Sequence, residues 1–112
     1  MFKNVNFKEF IFWFCVIFLL CFVVGSFWQN QFLLTVILLL LAGMYFLRFH
    51  KREDFLYFFI PFFLGPIAES LIVRLGAWSY SQPYFFGVPL WLFSIWGISG
   101  LLLKKLVESL NK

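Results

Sequence analysis

Long apolar segments alternate with short polar ones along the whole chain. The four apolar segments cover residues 10–27, 32–47, 55–73 and 85–103. A helix needs roughly 20 residues to cross the hydrocarbon core of a bilayer, and these segments lack the alternation of barrel strands. We therefore predict an all-α, polytopic four-helix transmembrane bundle. It forms a single membrane domain over residues 1–112, with helices at about 9–27, 31–48, 55–75 and 86–106.

The third apolar segment contains residues that disturb a helix. Pro66 lacks a backbone donor and leaves the carbonyl of Phe62 without its intrahelical partner. In a broken helix, Gly65 would cap the first part and Pro66 would begin the second. Glu69 would then lie in the first turn of that second part, where the helix dipole stabilises a carboxylate. We predict a kinked or broken third helix.

The composition supports a membrane location. Hydrophobic residues make up 63% of the chain and charged residues 12%, with 19 phenylalanines among 112 residues. A soluble domain is nearer half apolar and a quarter charged, and a small one leaves too much surface in water to hide this excess. The lipid bilayer is therefore the expected surrounding and partner. No nucleic-acid partner is expected, because the basic residues form no groove-sized patch.

The positions of the basic residues predict the orientation. Eight of the nine lie before the first helix, between the second and third, or after the fourth: Lys3, Lys8, Arg48, Lys51, Arg52, Lys104, Lys105 and Lys112. The loops 26–31 and 76–84 contain none, and Arg74 is the exception. Because cytoplasmic loops are enriched in Lys and Arg, we expect a multi-pass protein with the N- and C-termini in the cytoplasm.

Two other features are interpreted as structural. Lys3 and Lys8 could precede a cleaved signal peptide, but no small-x-small site follows, so we expect a retained first helix. Cys15 and Cys21 are six residues apart and point to different helix faces, which argues against a disulfide. No paired Cys/His spacing is present in the sequence, so we expect no metal.

Glu69 is the only acidic residue within an apolar segment. A charged carboxylate is costly inside a bilayer, so such a residue usually faces the bundle, finds partners and has a function. We expect a catalytic or ligand-binding carboxylate; the alternative is a structural anchor for Ser70, Ser94 or an indole N–H. Arg74, five residues on, lies about 140° around the helix, so it either pairs with Glu69 or extends outward to the interface.

Several aromatic residues follow Glu69 in the sequence. Trp78 and Tyr80 follow the third helix, and Trp91 and Trp96 belong to the fourth. Trp and Tyr concentrate at the headgroup level of membranes, which explains many such residues without any site. If the third and fourth helices pack together, however, Trp91 and Glu69 would share one cavity in the outer half of the membrane.

Small residues make that packing plausible. Ser94 and Gly97 on the fourth helix allow a neighbouring helix to approach closely. We expect this neighbour to be the third helix, which would contribute Gly65 and Gly76.

The segment 65–100 carries a pattern of motifs that covers about a third of the chain. Its elements are Gly65-Pro66 followed by Glu69, then Gly76-Ala77-Trp78-Ser79-Tyr80, and finally Gly87-Val88-Pro89-Leu90-Trp91-Leu92 with Trp96-Gly97. This pattern resembles membrane families related to carotenoid processing: the integral-membrane lycopene cyclases, the carotenoid hydratases, and a group of small uncharacterised bacterial inner-membrane proteins. The cyclases carry a further acid where Leu90 and Trp91 stand here, so the small inner-membrane proteins are the closer match.

The resemblance implies a cofactor-free isoprenoid cyclase- or hydratase-like site in a bacterial inner membrane. Glu69 would be the catalytic acid that protonates an alkene. The substrate-binding residues would be Trp78, Tyr80, Trp91, Trp96 and Arg74, with the rings stabilising a carbocation. An apolar isoprenoid would be the ligand, and a homodimer would supply two acids.

Two other functions remain open from the sequence. A non-catalytic membrane subunit or assembly partner could use the second hairpin as a docking surface. A small proton-coupled exporter working as a dimer would resemble the small multidrug resistance proteins, although the first helix here contains no acid within its apolar segment.

Overall fold

The computed structural model describes residues 5–111 and contains four helices in this range. They are α1 (Phe7–Phe27), α2 (Gln31–Arg48), α3 (Arg52–Arg74) and α4 (Trp91–Leu110). Three residues separate α1 from α2 and α2 from α3, whereas the loop between α3 and α4, residues 75–90, is long. The prediction of an all-α chain is confirmed.

Three of the helices, α1, α2 and α3, are long and apolar enough to cross a membrane. They are compatible with contact to a lipid bilayer, as predicted for a membrane protein. The fourth helix differs in composition because its C-terminal part contains Lys104, Lys105 and Glu108, and it is not in this set. Its apolar part ends where those charges begin.

Asparagine side chains cap the first two helices. Asn6 Oδ1 accepts a hydrogen bond from the Glu9 backbone N–H at 3.1 Å, and Asn30 Oδ1 accepts one from Leu33 N–H at 3.2 Å. Each cap satisfies one of the donors that a helix start leaves without an intrahelical partner. The second cap also explains how α2 can begin immediately after the turn that follows α1.

The central helix is α4, which packs against α1, α2 and α3, most extensively against α3. Its buried residues Ile98, Leu101 and Leu102 belong to the main core. The other helices complete that core with Leu20, Leu34, Leu38, Ala42 and Phe58.

Glycines set the close contact between α3 and α4. A Cβ atom on Gly97 would come within 2.7 Å of the Phe58 ring, and one on Gly65 would overlap the Trp96 ring. The predicted roles of Gly65 and Gly97 in this packing therefore agree with the structure. Gly76 does not take part: it lies just after α3 with φ of +89° and has no atom within 4 Å of an added Cβ.

The predicted break in the third helix is wrong, because α3 continues from Arg52 to Arg74 through both Pro61 and Pro66. Pro61 cannot donate to the Tyr57 carbonyl, yet this oxygen lies so close to Gly100 of α4 that an added Cβ there would overlap it. The backbone hydrogen bond that Pro61 cannot make lies in the part of α3 that packs against α4. This packing can therefore keep the helix continuous. A kink at Pro66 stays a prediction.

Candidate functional site

Both carboxylate oxygens of Glu69 accept hydrogen bonds from aromatic side chains. The Tyr80 hydroxyl donates to Oε1, and the Trp96 indole Nε1–H donates to Oε2. Glu69 is half-buried, and Trp96 is 37% exposed. The three residues connect α3, the α3–α4 loop and α4, so the carboxylate is held at the junction of three segments.

The end of α3 directs the loop back towards Glu69. Gly76 has φ of +89°, a region that glycine occupies without steric cost. The amides of Gly76 and Ala77 donate to the carbonyls of Val73 (3.0 Å) and Ile72 (3.3 Å), which is a Schellman ending. The chain therefore reverses within a few residues, and Tyr80 comes back alongside the last turns of α3.

Close helix packing brings the second donor to Glu69. The Trp96 ring covers α3 at Gly65, where any larger residue would collide with it. Gly65 and Glu69 are one turn apart on α3, so an indole lying over Gly65 can direct its N–H towards Glu69. The Trp96 ring can therefore pack at this position only because residue 65 is a glycine.

Tyr80 links the carboxylate to a second indole. Its ring meets Trp91 edge to face, with ring centroids 6.4 Å apart and an interplanar angle of 88°. Burial raises the pKa of the Tyr80 hydroxyl above its usual value, and the hydrogen bond to Glu69 and the charge of that carboxylate raise it further. A smaller opposing effect on this pKa comes from the side chain of Trp78.

The structure brings four of the predicted site residues into one cluster: Glu69, Tyr80, Trp91 and Trp96. Trp78 lies at its edge and is 48% exposed. Arg74 is exposed in the last turn of α3 and makes no ion pair within residues 5–111. Of the two alternatives for Arg74, outward extension agrees with this placement. The catalytic and substrate-binding roles of these residues stay predictions.

Gln31 fixes the α3–α4 loop to the start of α2, a function that sequence reasoning missed. Its Nε2 donates to the Gln82 carbonyl at 2.7 Å, and its Oε1 accepts from the Leu90 backbone N–H at 2.7 Å. These partners are 51 and 59 residues away in sequence. The only local signal is the polar group Gln29-Asn30-Gln31 between two apolar segments, which the headgroup region explains equally well.

A second charged cluster, at the other end of α3 and α4, was also missed. Asp54 is fully buried and pairs with Lys104, whose side chain is 7% exposed. Lys104 Nζ also lies 3.1 Å from Glu53 and 3.7 Å from Glu108. Asp54 directly precedes the third apolar segment and Lys104 directly follows the fourth, so opposite charges at the matching ends of two antiparallel helices were the available signal.

Within residues 5–111 no group of three or more His, Cys, Asp or Glu side chains is placed to hold a metal ion. Cys15 and Cys21 are free thiols on exposed positions of α1. No protein-family model matches this chain, and no curated protein or solved structure matches it.

Proposed function

We propose that this chain is an integral membrane protein with four crossings, in which α4 spans the membrane together with α1, α2 and α3. The charges of α4 argue for this topology rather than against it, because Lys104 is neutralised by Asp54 at the end of the helix instead of facing lipid. The distribution of Lys and Arg supports a cytoplasmic location for both termini and the α2–α3 connection. A bacterial inner membrane suits this arrangement.

We further propose that the cluster around Glu69 binds an elongated apolar ligand of the isoprenoid class in the outer half of the membrane. The observation that carries this proposal is the pair of hydrogen bonds from Tyr80 and Trp96 to Glu69, made while Trp96 remains 37% exposed. The bonds orient the rings, and the exposure leaves a ring surface open to a ligand that arrives through the bilayer. The aromatic faces of Trp91 and Trp96 offer flat apolar contact area to an elongated hydrocarbon.

Binding is favoured over acid catalysis for the arrangement described. Both oxygens of Glu69 already accept hydrogen bonds, whereas protonation of an alkene requires a carboxyl O–H directed at a carbon atom. In the catalytic form of the proposal, a neutral Glu69 carboxyl would transfer its proton to an alkene carbon. The π electrons would form the new C–H bond and leave a carbocation beside Trp91 and Trp96, and loss of a proton from a neighbouring carbon to the Glu69 carboxylate would complete the reaction.

Ligand binding can be measured by energy transfer from tryptophan to a long conjugated polyene in lipid nanodiscs. We expect saturable quenching whose apparent Kd rises about tenfold in Trp96→Phe. The variant loses the indole N–H that orients the ring on Glu69 and part of the ring area, and a loss of roughly 1.4 kcal/mol corresponds to that factor. Tyr84→Phe is the matched control, because Tyr84 is exposed in the same loop and contacts Phe32 rather than Glu69. Quenching that does not saturate, or is equal in both variants, refutes the site.

Catalysis has a separate measurement. Chromatography of the isoprenoids from a host that expresses the wild type or Glu69→Gln would show a product difference if Glu69 transfers a proton. Identical isoprenoid profiles together with intact polyene binding would show that the protein binds the ligand and would refute the catalytic form of the proposal.

A role as a non-catalytic membrane subunit is the second candidate, and one observation favours it. Phe85 and Val88 exchange backbone hydrogen bonds of 2.9 and 3.0 Å across a two-residue turn, in which Phe86 adopts φ of +50°. A bulky residue rarely adopts this conformation, and the Phe86 ring is 76% exposed. A rigid turn that presents an aromatic ring suits docking to a partner membrane protein or a second copy of the chain. Mild-detergent purification of the wild type and Phe86→Ser should show a stoichiometric partner that only the wild type retains.

A further inference from the structure

A groove separates α1 from α2 on the side away from α3. It has a volume of about 600 Å³, within the range of ligand sites in proteins. Leu20 and Ala42 lie deep in it, and the α4 residues Ile98, Leu101 and Leu102 form its floor. None of the residues that hold Glu69 lines this groove, so it is separate from the site proposed above.

The shape of the groove suits one extended chain. On α1 its wall runs from Phe12 to Val23, which corresponds to roughly 16 Å along the helix axis. The rim residues Phe12, Leu19 and Met44 are 57%, 62% and 64% exposed. The groove therefore opens sideways along its length, where a lipid tail can enter from the bilayer without passing through the protein.

One end of the groove is cationic. Arg48 lines it, and its guanidinium lies 5.0 Å from the Phe49 ring centroid. Lys105 Nζ lies 3.9 Å from the same centroid, 5.8 Å from that of Tyr45 and 6.0 Å from that of Trp13. All three rings line the groove. Arg48 and Lys105 therefore both contact the Phe49 ring at the end where α2 finishes, and Arg48 itself lines the groove.

The charges at this end are only partly paired. Glu108 lies 3.6 Å from Lys105 but also approaches Lys104, and Arg48 has no ion pair in the part of the chain that the structure describes. A cation without a carboxylate partner, Arg48, therefore lines this end of the groove.

We propose that this groove binds one anionic phospholipid, with an acyl chain between α1 and α2 and the phosphate beside Arg48 and Lys105. General attraction of anionic lipids to basic loops needs no groove, whereas this site requires the apolar channel and the two cations together. The topology proposed above places the headgroup in the cytoplasmic leaflet.

The test compares phosphatidylglycerol and phosphatidylcholine that carry the same photoreactive acyl chain, each in nanodiscs with the full chain. Labelled residues are identified by mass spectrometry. We expect the phosphatidylglycerol probe to label the groove residues Val16 and Leu41 severalfold more than the phosphatidylcholine probe does. Leu64 and Leu71, which are 63% and 58% exposed on α3, should be labelled equally by the two probes.

Two variants separate a site from general charge attraction. Arg48→Gln should lower the groove labelling by phosphatidylglycerol about fivefold, the effect of one cation near a headgroup. Arg52, at the start of α3, does not line the groove. Arg52→Gln removes the same charge and should leave the labelling ratio unchanged. Val16→Trp should reduce labelling by both probes by filling the groove. Equal labelling by the two probes, or equal losses in the two arginine variants, would overturn the proposal.

Discussion

The buried ion pair between α3 and α4 leads to an unequal effect of removing its two members. Lys104→Met leaves the Asp54 carboxylate fully buried, and Lys104 is its only ion-pair partner within residues 5–111. Asp54→Asn leaves Lys104 with two other carboxylates, at 3.1 and 3.7 Å from Nζ. Since the penalty comes from the charge that is left without a partner, we expect the lysine variant to be the more destabilising one.

The magnitudes follow from the surroundings of each charge. Breaking a buried pair costs about 3–5 kcal/mol, and the lower end applies here because the neighbouring Glu53 side chain is 60% exposed, so water is close. We expect Lys104→Met to lower the free energy of unfolding by about 3 kcal/mol. Asp54→Asn should lower it by about 1 kcal/mol, the usual value of one hydrogen bond. The double variant should lose about 2 kcal/mol, because no buried charge remains unpaired.

The assay is equilibrium unfolding in mixed detergent micelles, followed by circular dichroism at constant pH and salt. Lys51→Met serves as the control, because Lys51 is exposed just before α3 and a surface change of this kind costs within about 0.5 kcal/mol. An Asp54→Asn loss as large as the Lys104→Met loss, or simple additivity in the double variant, would refute the reasoning.

Three further changes test the packing, the site and the loop. Gly100→Ala should lower the free energy of unfolding by about 2 kcal/mol in the same assay, because its Cβ would overlap a backbone carbonyl of α3. Gly43→Ala is the control: a Cβ there has no atom within 4 Å, so this variant should be neutral or more stable by up to about 1 kcal/mol. Folding raises the pKa of Tyr80 from 10.0, so its stabilising contribution is present below pH 10 and declines as the pH rises above that value, because the unfolded chain then loses the proton first. The Tyr80→Phe variant should show a smaller decline, and a decline equal to that of the wild type would contradict this assignment. Gln31→Ala removes the two hydrogen bonds that hold the α3–α4 loop, so it should speed amide hydrogen exchange in that loop by about tenfold. Gln29→Ala should not, and equal exchange rates in the two variants would argue that Gln31 does not fix the loop.

The local sequence predicted the helices well because their signals are local. Uninterrupted apolar segments involve residues within a few positions of each other, so the chain can be interpreted segment by segment. Glu69 stood out for the same reason, as the one acid within an apolar segment. The break at Pro66 was expected because proline rules describe an isolated helix, and they omit the neighbour that supports α3.

The sequence by itself therefore determined that this is a helical membrane-type chain with one acid in its apolar segments and aromatic residues nearby. Only the tertiary structure decided which groups face that acid: Tyr80 and Trp96 rather than Arg74. It also decided that Asp54 meets Lys104, 50 residues away. The physical reason is that apolar spacing specifies which faces avoid water, whereas hydrogen bonds and ion pairs require defined distances between atoms. Those distances exist only once α4 has packed against its neighbours.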